Sequence, residues 1–225
     1  MTRPRPVIAI DGPAGVGKST TARALAQRLG YTLVDTGALY RGVALAARDR
    51  GVSWDDEAAV VAVSGEIDLG FVSQDDGTPR LLLDGQDRAS EIRTPELSGG
   101  ASQVSAYAGV RRALLSIQRD LGRDGGVVLE GRDIGTVVFP DAEVKLFLTA
   151  SAEERARRRV QDLQERGMTA DRDEILAKIR ARDEADSTRA IAPLRPAEDA
   201  VILDSTSLGL ESVVRHVLEL VQSCN

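Results

Sequence analysis

The eight residues Gly12-Pro13-Ala14-Gly15-Val16-Gly17-Lys18-Ser19 constrain the fold of this chain more than any other segment. They fit the pattern G-x-x-x-x-G-K-[ST] at every fixed position. The apolar run Val7–Ile10 precedes them, which is typical of a strand buried on both faces. Apolar residues then recur at helical spacing up to Gly30, so the segment joins a predicted strand to a predicted helix.

A loop in this position is suited to binding phosphate. Its glycines allow successive backbone N–H groups to point inward, and the positive end of the following helix dipole adds to their attraction. We expect Lys18 to reach the β- and γ-phosphates of ATP, and the Ser19 hydroxyl to coordinate Mg²⁺. A glycine-rich turn without a ligand would need neither of these two residues. The residues predicted to bind ATP are Gly12, Pro13, Ala14, Gly15, Val16, Gly17, Lys18, Ser19 and Thr20.

Rare residue types argue against several classes of site. The chain has one cysteine and one histidine, which excludes an internal disulfide and argues against a zinc site or a Ser-His-Asp triad. Asn225 is the only asparagine, so the Asn-Lys-x-Asp motif of GTPases is absent. The net charge of -6 and the 3% of aromatic residues argue against binding to nucleic acid or anionic membranes. No apolar run is long enough for a membrane span or a signal peptide, so we expect a cytoplasmic protein.

The order of the predicted elements favours a parallel sheet covered by helices. The chain begins with the pattern strand, helix, strand, helix, in which Leu33–Asp35 is the second strand. Further strand-like runs are Val127–Leu129, Val144–Leu148 and Val201–Leu203. We therefore predict a single α/β domain, residues 1–225, with five strands in one parallel core sheet.

Two regions interrupt this pattern. Ile67–Ser73 and Arg80–Leu83 flank a turn-rich segment and predict a hairpin, so we interpret residues 64–98 as an insertion in the core. Periodic residues predict one helix over about 103–122, and the highly charged region 151–190 predicts two more. The predicted core then comprises about 1–63, 99–150 and 191–225.

Two short polar motifs each end a predicted strand, at the edge where open α/β sheets bind ligands. The first begins with Asp35-Thr36, and the second is Glu130-Gly131-Arg132-Asp133. N-capping of the next helix by Thr36, with Asp35 interacting favourably with the helix dipole, is the alternative interpretation of the first motif. A structural arginine–aspartate pair is the alternative for the second.

The second charged helix carries Arg182, Asp186 and Arg189 on one face, because they are spaced by four and three residues. This spacing suits a solvated helix face. It also suits a mobile positive cover that neutralises phosphoryl groups and excludes water. Arg155 and Arg158 on the preceding helix are candidates for the same cover.

The chain resembles bacterial cytidylate kinase in a series of motifs that cover about residues 6–206. The blocks Gly131–Pro140 and Asp186–Leu194 are much more specific to this family than the phosphate-binding loop is. The motifs are Ile8–Pro13, Asp35–Arg41, Glu91–Pro95, Ala101–Ser105, Glu130–Pro140, Arg182–Asp186 and Arg189–Leu194. Departures are small: Thr36 stands where many members have serine, and Glu130 where some have aspartate. Ser19-Thr20 replaces the common Gly-Thr and follows the general loop pattern more closely.

The resemblance implies a nucleoside monophosphate kinase fold, in which 64–98 binds the monophosphate and 151–190 forms a helical lid. It assigns the cytosine edge to Ser102, Arg111 and Asp133, where a carboxylate suits the exocyclic amine that uracil lacks. It assigns the ribose hydroxyls to Thr36 and Asp186. It assigns the monophosphate to Arg41, Arg132, Arg182 and Arg189, whose guanidinium groups match phosphate oxygens, and Tyr40 to the lining of the site.

The resulting hypothesis is transfer of the γ-phosphate of MgATP to CMP, with dCMP as a second acceptor. The predicted catalytic residues are Lys18, Arg132, Arg182 and Arg158, and the predicted Mg²⁺ residues are Ser19 and Asp35. We expect CMP, dCMP and ATP as small-molecule partners, neither nucleic acid nor membrane, and a monomer. One alternative is a kinase for another nucleoside monophosphate. The other is a non-enzymatic switch that uses ATP for a conformational change.

Overall fold

Five apolar runs of the sequence form one parallel sheet, as predicted. The computed structural model describes residues 3–74, 78–165 and 167–223. Its strands are β1 (Val7–Asp11), β2 (Thr32–Asp35), β3 (Leu69–Ser73), β4 (Pro79–Leu83), β5 (Gln86–Asp87), β6 (Val127–Gly131), β7 (Val144–Thr149) and β8 (Val201–Asp204). Its α-helices are α1 (Lys18–Leu29), α2 (Thr36–Asp49), α3 (Glu57–Glu66), α4 (Pro95–Val104), α5 (Ala108–Gly122), α6 (Ala152–Glu165), α7 (Arg172–Thr188) and α8 (Leu210–Ser223). A π-helical turn spans Ile134–Val138.

The sheet order β2-β6-β1-β7-β8 places the carboxyl ends of three site-bearing strands side by side. All four pairings are parallel. Asp35 of β2 stands opposite Glu130 of β6, and Asp11 of β1 stands opposite Gly131. The loops that follow β1, β2 and β6 therefore meet at one edge of the sheet, where ligands bind in open α/β folds.

Helices cover both faces of the sheet, whose central strand β1 is buried throughout and apolar up to Ile10. The first four residues of β1 are buried and apolar, as in other parallel strands packed on both sides. On one face, Ile8 belongs to a cluster with Leu25 of α1 and Val214 of α8. On the other face, Ala9 packs in a cluster with Phe139, which follows the π-helical turn. The loop that follows β1 thus begins at a strand that is packed on both faces.

The predicted hairpin is confirmed, and a third strand extends it. β3 and β4 pair in antiparallel fashion, and the short β5, which was not predicted, pairs with β4. Leu69 and Leu81 pack in the same cluster as Leu39 and Leu45 of α2, so the hairpin shares its core with α2. Residues 75–77 of the predicted turn lie outside the described residues.

The helix predicted over 103–122 is confirmed from residue 108 to residue 122, but its predicted start is wrong. Two helices, α4 and α5, are separated at residues 105–107, and the unpredicted α3 lies earlier in the chain. The chain leaves the first helix where the Ser105 hydroxyl donates to the Ser102 carbonyl (2.8 Å). The Tyr107 hydroxyl then donates to the Trp54 carbonyl (2.7 Å), which fixes the start of α5. Tertiary contacts thus interrupt a periodicity that continues through the sequence.

The charged region forms the two helices predicted, α6 and α7. The α6 capping residue is Ser151, whose hydroxyl accepts a hydrogen bond from the Glu154 N–H (3.2 Å). Asp186 is the only fully buried residue of α7, and Lys178 lies on its solvent side. Three apolar residues of α7, Ile175, Leu176 and Ile179, are half-buried, so the helix packs through a partly buried face. Among the described residues, no helix combines the length and the hydrophobicity needed to cross a membrane.

Candidate active site

The loop between β1 and α1 has the backbone geometry that the sequence predicted. Gly12, Gly15 and Gly17 all have positive φ, at 148°, 78° and 98°, and α1 begins at Lys18. Gly12 has a second constraint, because a Cβ there would lie 2.1 Å from the Leu148 carbonyl oxygen. The loop is therefore pressed against β7 and requires glycine at its first position.

Lys18 points back along this loop. Its Nζ is buried and donates a hydrogen bond to the Pro13 carbonyl (2.7 Å). Burial, together with the positive charge of Arg132, lowers the pKa of the Lys18 amine to about 7. A phosphate in the loop would stabilise the protonated amine by its negative charge.

Oxygen ligands suited to Mg²⁺ gather beside this lysine. The Ser19 hydroxyl donates to Glu130 Oε2 (2.8 Å), and both residues line the cleft together with Asp35. Burial and the negative charge of Asp35 raise the pKa of Glu130 to about 7. A divalent cation would relieve this repulsion, and hard oxygen ligands are the kind that Mg²⁺ prefers. The residues present therefore fit a Mg²⁺ ion.

These ligands do not form a closed cage. Within the described chain, no three histidine, cysteine or acidic residues are grouped closely enough to hold a metal ion by themselves. Asp35 is also engaged elsewhere, since it accepts from the Ala38 N–H (3.2 Å) at the start of α2 and from Arg41 (2.6 Å). The alternative interpretation, a cap formed by Thr36, is wrong in its residue: Asp35 caps α2, and the Thr36 hydroxyl donates to the Glu130 carbonyl instead. Mg²⁺ at this site would require phosphate and water as further ligands.

A cleft of about 270 Å³ opens beside the loop. All ten residues predicted to bind the phosphate acceptor line it: Thr36, Tyr40, Arg41, Ser102, Arg111, Arg132, Asp133, Arg182, Asp186 and Arg189. Of the predicted ATP residues, Ala14, Gly15, Lys18 and Ser19 line the same cleft. Gly12, Pro13, Val16, Gly17 and Thr20 complete the loop outside its lining. Residues predicted to bind ATP and residues predicted to bind the phosphate acceptor therefore line the same cleft.

A buried charge cluster forms one end of the cleft. Asp133 pairs with Arg111, and its other oxygen lies 3.6 Å from Arg189. The side chains of all three residues are less than a tenth exposed. Tyr40 lies against this cluster, with its ring 5.6 Å from the Arg111 guanidinium carbon. The buried carboxylate of Asp133 thus lies between two guanidinium groups at the end of the cleft.

Arginines without a full set of partners form the other end. Arg132 Nε donates to Asp186 Oδ2 (2.8 Å), which orients its guanidinium. One buried nitrogen in each of Arg41 and Arg182 has no hydrogen-bond partner. Nη2 of Arg189 also lacks a hydrogen bond, but it belongs to the charge cluster, 3.6 Å from Asp133. Burial and the charge of Arg132 lower the pKa of Arg182. Buried, unpaired guanidinium nitrogens are costly, and a phosphate would satisfy them.

Two arginines of α6 lie away from this group. Arg158 donates to the Ser205 carbonyl (2.6 Å) and to Glu154 (2.8 Å), and it does not line the cleft. It does contribute to a neighbouring groove that runs along the phosphate-binding loop. Arg155 is buried between this loop and α7.

The sequence interpretation assigned no role to Glu130, although it singled out the motif that Glu130 begins. The position was identifiable, because β6 lies between β1 and β2 in the sheet and its carboxyl end faces Ser19. Thr36, one of the predicted ribose contacts, donates its hydroxyl to the Glu130 carbonyl (2.7 Å). Other cleft residues without a predicted role are Gly37, Ser98, Ala101, Ser105 and Gly131.

Comparison with known proteins agrees with this arrangement. The family described as cytidylate kinase matches residues 8–223. A cytidylate kinase of Syntrophotalea carbinolica is 53% identical over 215 residues, which cover 96% of this chain and 91% of that protein. A cytidylate kinase of Pasteurella multocida is 51% identical over 216 residues, 96% of this chain and 95% of that protein. An uncharacterized protein from Eubacterium ventriosum has a similar fold, with a TM-score of 0.54, 11% identity and coverage of 97% and 99% of the two chains. This chain belongs to the cytidylate kinase family.

Proposed function

We propose that the protein transfers the γ-phosphate of MgATP to CMP, which yields ADP and CDP, and that dCMP is a second acceptor. The observation that carries this proposal is the single cleft beside the loop. It joins a phosphate-binding lysine, a buried carboxylate and three arginines with unpaired nitrogens. Membership of the cytidylate kinase family supports the same reaction.

The buried charge cluster is our candidate for the base-binding end. Asp133 would accept a hydrogen bond from the exocyclic amine of cytosine, with Arg111 and Ser102 on the same edge. Uracil presents a carbonyl oxygen at that position, which would face a buried carboxylate without a proton between them. Arg111 and Arg189 lie beside the two carboxylate oxygens of Asp133 and hold this hydrogen-bond acceptor in place, which this role needs.

The arginines with free donors are our candidates for the monophosphate. Arg41, Arg132, Arg182 and Arg189 would hold it, with Tyr40 against the nucleoside and with Thr36 and Asp186 at the ribose. No strong base is needed, because a phosphate oxygen is already a nucleophile near neutral pH. Catalysis would then consist of alignment and neutralisation of charge.

The transferring group would meet Lys18, Arg132 and Arg182, with Arg158 reaching the donor from the neighbouring groove. Ser19 and Asp35 would hold Mg²⁺, and Glu130 is a third candidate because it contacts Ser19. Bound Mg²⁺ would supply further neutralisation of phosphate charge. We propose residues 64–98 as the monophosphate-binding insertion and 151–190 as the lid; residues 64 and 98 fall within α3 and α4. The monomeric state and the cytoplasmic location stay predictions from the sequence.

The test is an assay of ADP release with MgATP and, in parallel, CMP, dCMP, UMP, AMP and GMP. We expect strong turnover with CMP that is lost in Lys18→Ala and Asp133→Ala. The exposed surface variant Arg123→Ala is the control and should keep full activity. Equal activity with UMP would contradict the role of Asp133 but retain a kinase. ATP binding without transfer to any acceptor would favour a nucleotide-dependent switch.

A further inference from the structure

We propose that Arg155 is a positioning residue that ties the lid helix α7 to the phosphate-binding loop. This inference rests on the proposed function, but it names a residue to which the family resemblance assigned no contact. Arg155 belongs to the first turn of α6, directly after β7. Its side chain is 4% exposed.

The guanidinium of Arg155 donates hydrogen bonds to three separate elements. Its Nε donates to the carbonyl of Ala150, at the end of β7 (3.0 Å). One terminal nitrogen donates to the carbonyl of Ala14 in the loop (3.1 Å) and to Asp183 Oδ1 (2.9 Å). The other donates to Asp183 Oδ2 (2.5 Å). Arg155 lines the groove along the loop, as Arg158 does, but four of its five N–H donors are used within the protein, which leaves one donor for a phosphate.

Asp183 connects this contact to the cleft. It lies on α7 next to Arg182, which lines the cleft and has a buried nitrogen without a partner. It also precedes Asp186, which orients Arg132. The paired hydrogen bonds between Arg155 and Asp183 therefore fix the distance between the phosphate-binding loop and the helix that supplies acceptor-side residues.

α7 has few fully buried contacts, so a buried ion pair can fix its position. Its apolar residues Ile175, Leu176 and Ile179 are half-buried. No apolar side chain of this helix is fully buried. Of its other ion pairs, Arg180–Glu153 is exposed, and exposed pairs contribute little. The remaining buried contact is Asp186–Arg132, and the acceptor would compete for both of these side chains. The Arg155–Asp183 pair is the one that substrates leave intact.

The variants that test this are Arg155→Met, Asp183→Asn, the double variant and Arg155→Lys. Arg157→Met is the matched control, since Arg157 lies on the same helix, is 59% exposed and pairs only locally with Glu154 and Gln161. Three quantities are measured: kcat for CMP phosphorylation, the Kd of ATP, and hydrogen exchange of α7 without nucleotide. Circular dichroism checks that each variant folds.

We expect Arg155→Met and Asp183→Asn each to lower kcat by about 10- to 100-fold through misplacement of Arg182. The Kd of ATP should stay within about twofold of wild type in Asp183→Asn, because this change leaves the hydrogen bond from Arg155 to the Ala14 carbonyl in place. The double variant should be no worse than Arg155→Met, since both changes break one pair. α7 should exchange faster in both single variants, Arg155→Lys should retain part of kcat, and Arg157→Met should match wild type.

Three results would overturn the proposal: an unchanged kcat in both single variants, additive losses in the double variant, or a tenfold weaker Kd of ATP with unchanged kcat. The last would make Arg155 an ATP ligand. If Arg155→Met does not fold, Asp183→Asn decides, since it keeps the size of the side chain. If wild-type protein does not phosphorylate CMP, the proposed function fails, and the hydrogen exchange of α7 still decides whether the tether exists.

Discussion

The arginines of the cleft are oriented by carboxylates before any nucleotide arrives. Arg41 pairs with Asp35 and Arg132 with Asp186, at 2.6 and 2.8 Å. Guanidinium groups held in this way lose less rotational freedom when a phosphate binds, which favours tight and specific binding. Part of that gain is offset because the phosphate competes with the carboxylates already in place.

Asp11 gives a pH-dependent prediction at the same scale. It is buried and accepts hydrogen bonds from the N–H groups of Ile134 and Gly135, both at 2.8 Å. Burial raises the pKa of Asp11 from 3.8 to about 6. Between these values the folded protein binds more protons than the unfolded chain, so the free energy of unfolding falls as pH rises.

The comparison of wild type with Asp11→Asn isolates this effect. The difference in their free energies of unfolding should fall as pH rises from about 4 to about 6, by up to about 3 kcal/mol, and stay level above. Urea unfolding at a series of pH values measures it. A difference that is constant or rises across this range would contradict the prediction.

The family resemblance assigned ten residues to the phosphate acceptor, and all of them line one cleft. Spacing alone grouped only three of these residues. The spacing of Arg182, Asp186 and Arg189 predicted a common helix face, and all three line the cleft. Nothing in the local sequence sets Arg111 apart from a solvated helix residue. Its partner Asp133 is 22 positions away, and only the fold brings the two together.

At the scale of the elements, the sequence predicted the strands and helices in which the apolar residues of the sequence are also the residues buried in the fold. Four of the five strands of the parallel sheet are of this kind; in β8, Ile202 is 60% exposed. The helices α4 and α5 are not, because the break between them depends on contacts from Tyr107 to Trp54. A local signal for α4 was present, since Thr94 accepts from the Leu97 N–H (3.2 Å) and Pro95 occupies the first turn.

The packing of α4 gives the second prediction. Gly100 lies against Trp54, and a Cβ at this position would be 2.7 Å from the indole ring. Gly100→Ala should therefore displace α4, which carries Ser98 and Ser102 of the cleft, and raise the KM for CMP. We expect a loss of stability of about 1–3 kcal/mol from overpacking.

Gly99→Ala on the same helix is the matched control, because a Cβ there meets no atom within 4 Å. It should stabilise the protein by up to about 1 kcal/mol through helix propensity and leave the KM unchanged. Thermal unfolding and steady-state kinetics compare the two variants. If they behave alike, α4 does not depend on its contact with Trp54.

At the scale of the whole molecule, the hairpin and the parallel sheet are joined through α2. Leu81 of the hairpin belongs to one apolar cluster with Leu39 and Leu45, while α2 itself begins where β2 ends. Loss of packing in the hairpin should therefore weaken the entire domain. The fold is predicted to unfold as one unit.

Leu81→Ala tests this prediction. Leu81 is 1% exposed, so the change should cost about 2–5 kcal/mol and lower the temperature of a single unfolding transition. Val72→Ala on the same hairpin, where Val72 is 45% exposed, should cost less than about 1 kcal/mol. Two separate calorimetric transitions in Leu81→Ala would mean that the hairpin unfolds on its own.

The exposed position of Lys178 on α7 has a practical consequence. The chain has only two other lysines, and both are buried: Lys18 at the start of α1 and Lys145 in β7. The Lys178 side chain is 74% exposed. Amine-selective reagents do not react with guanidinium groups near neutral pH, so the many arginines would stay unlabelled. A dye coupled to Lys178, after the N-terminal α-amine has been blocked, would therefore mark α7, the proposed lid helix, without an engineered cysteine.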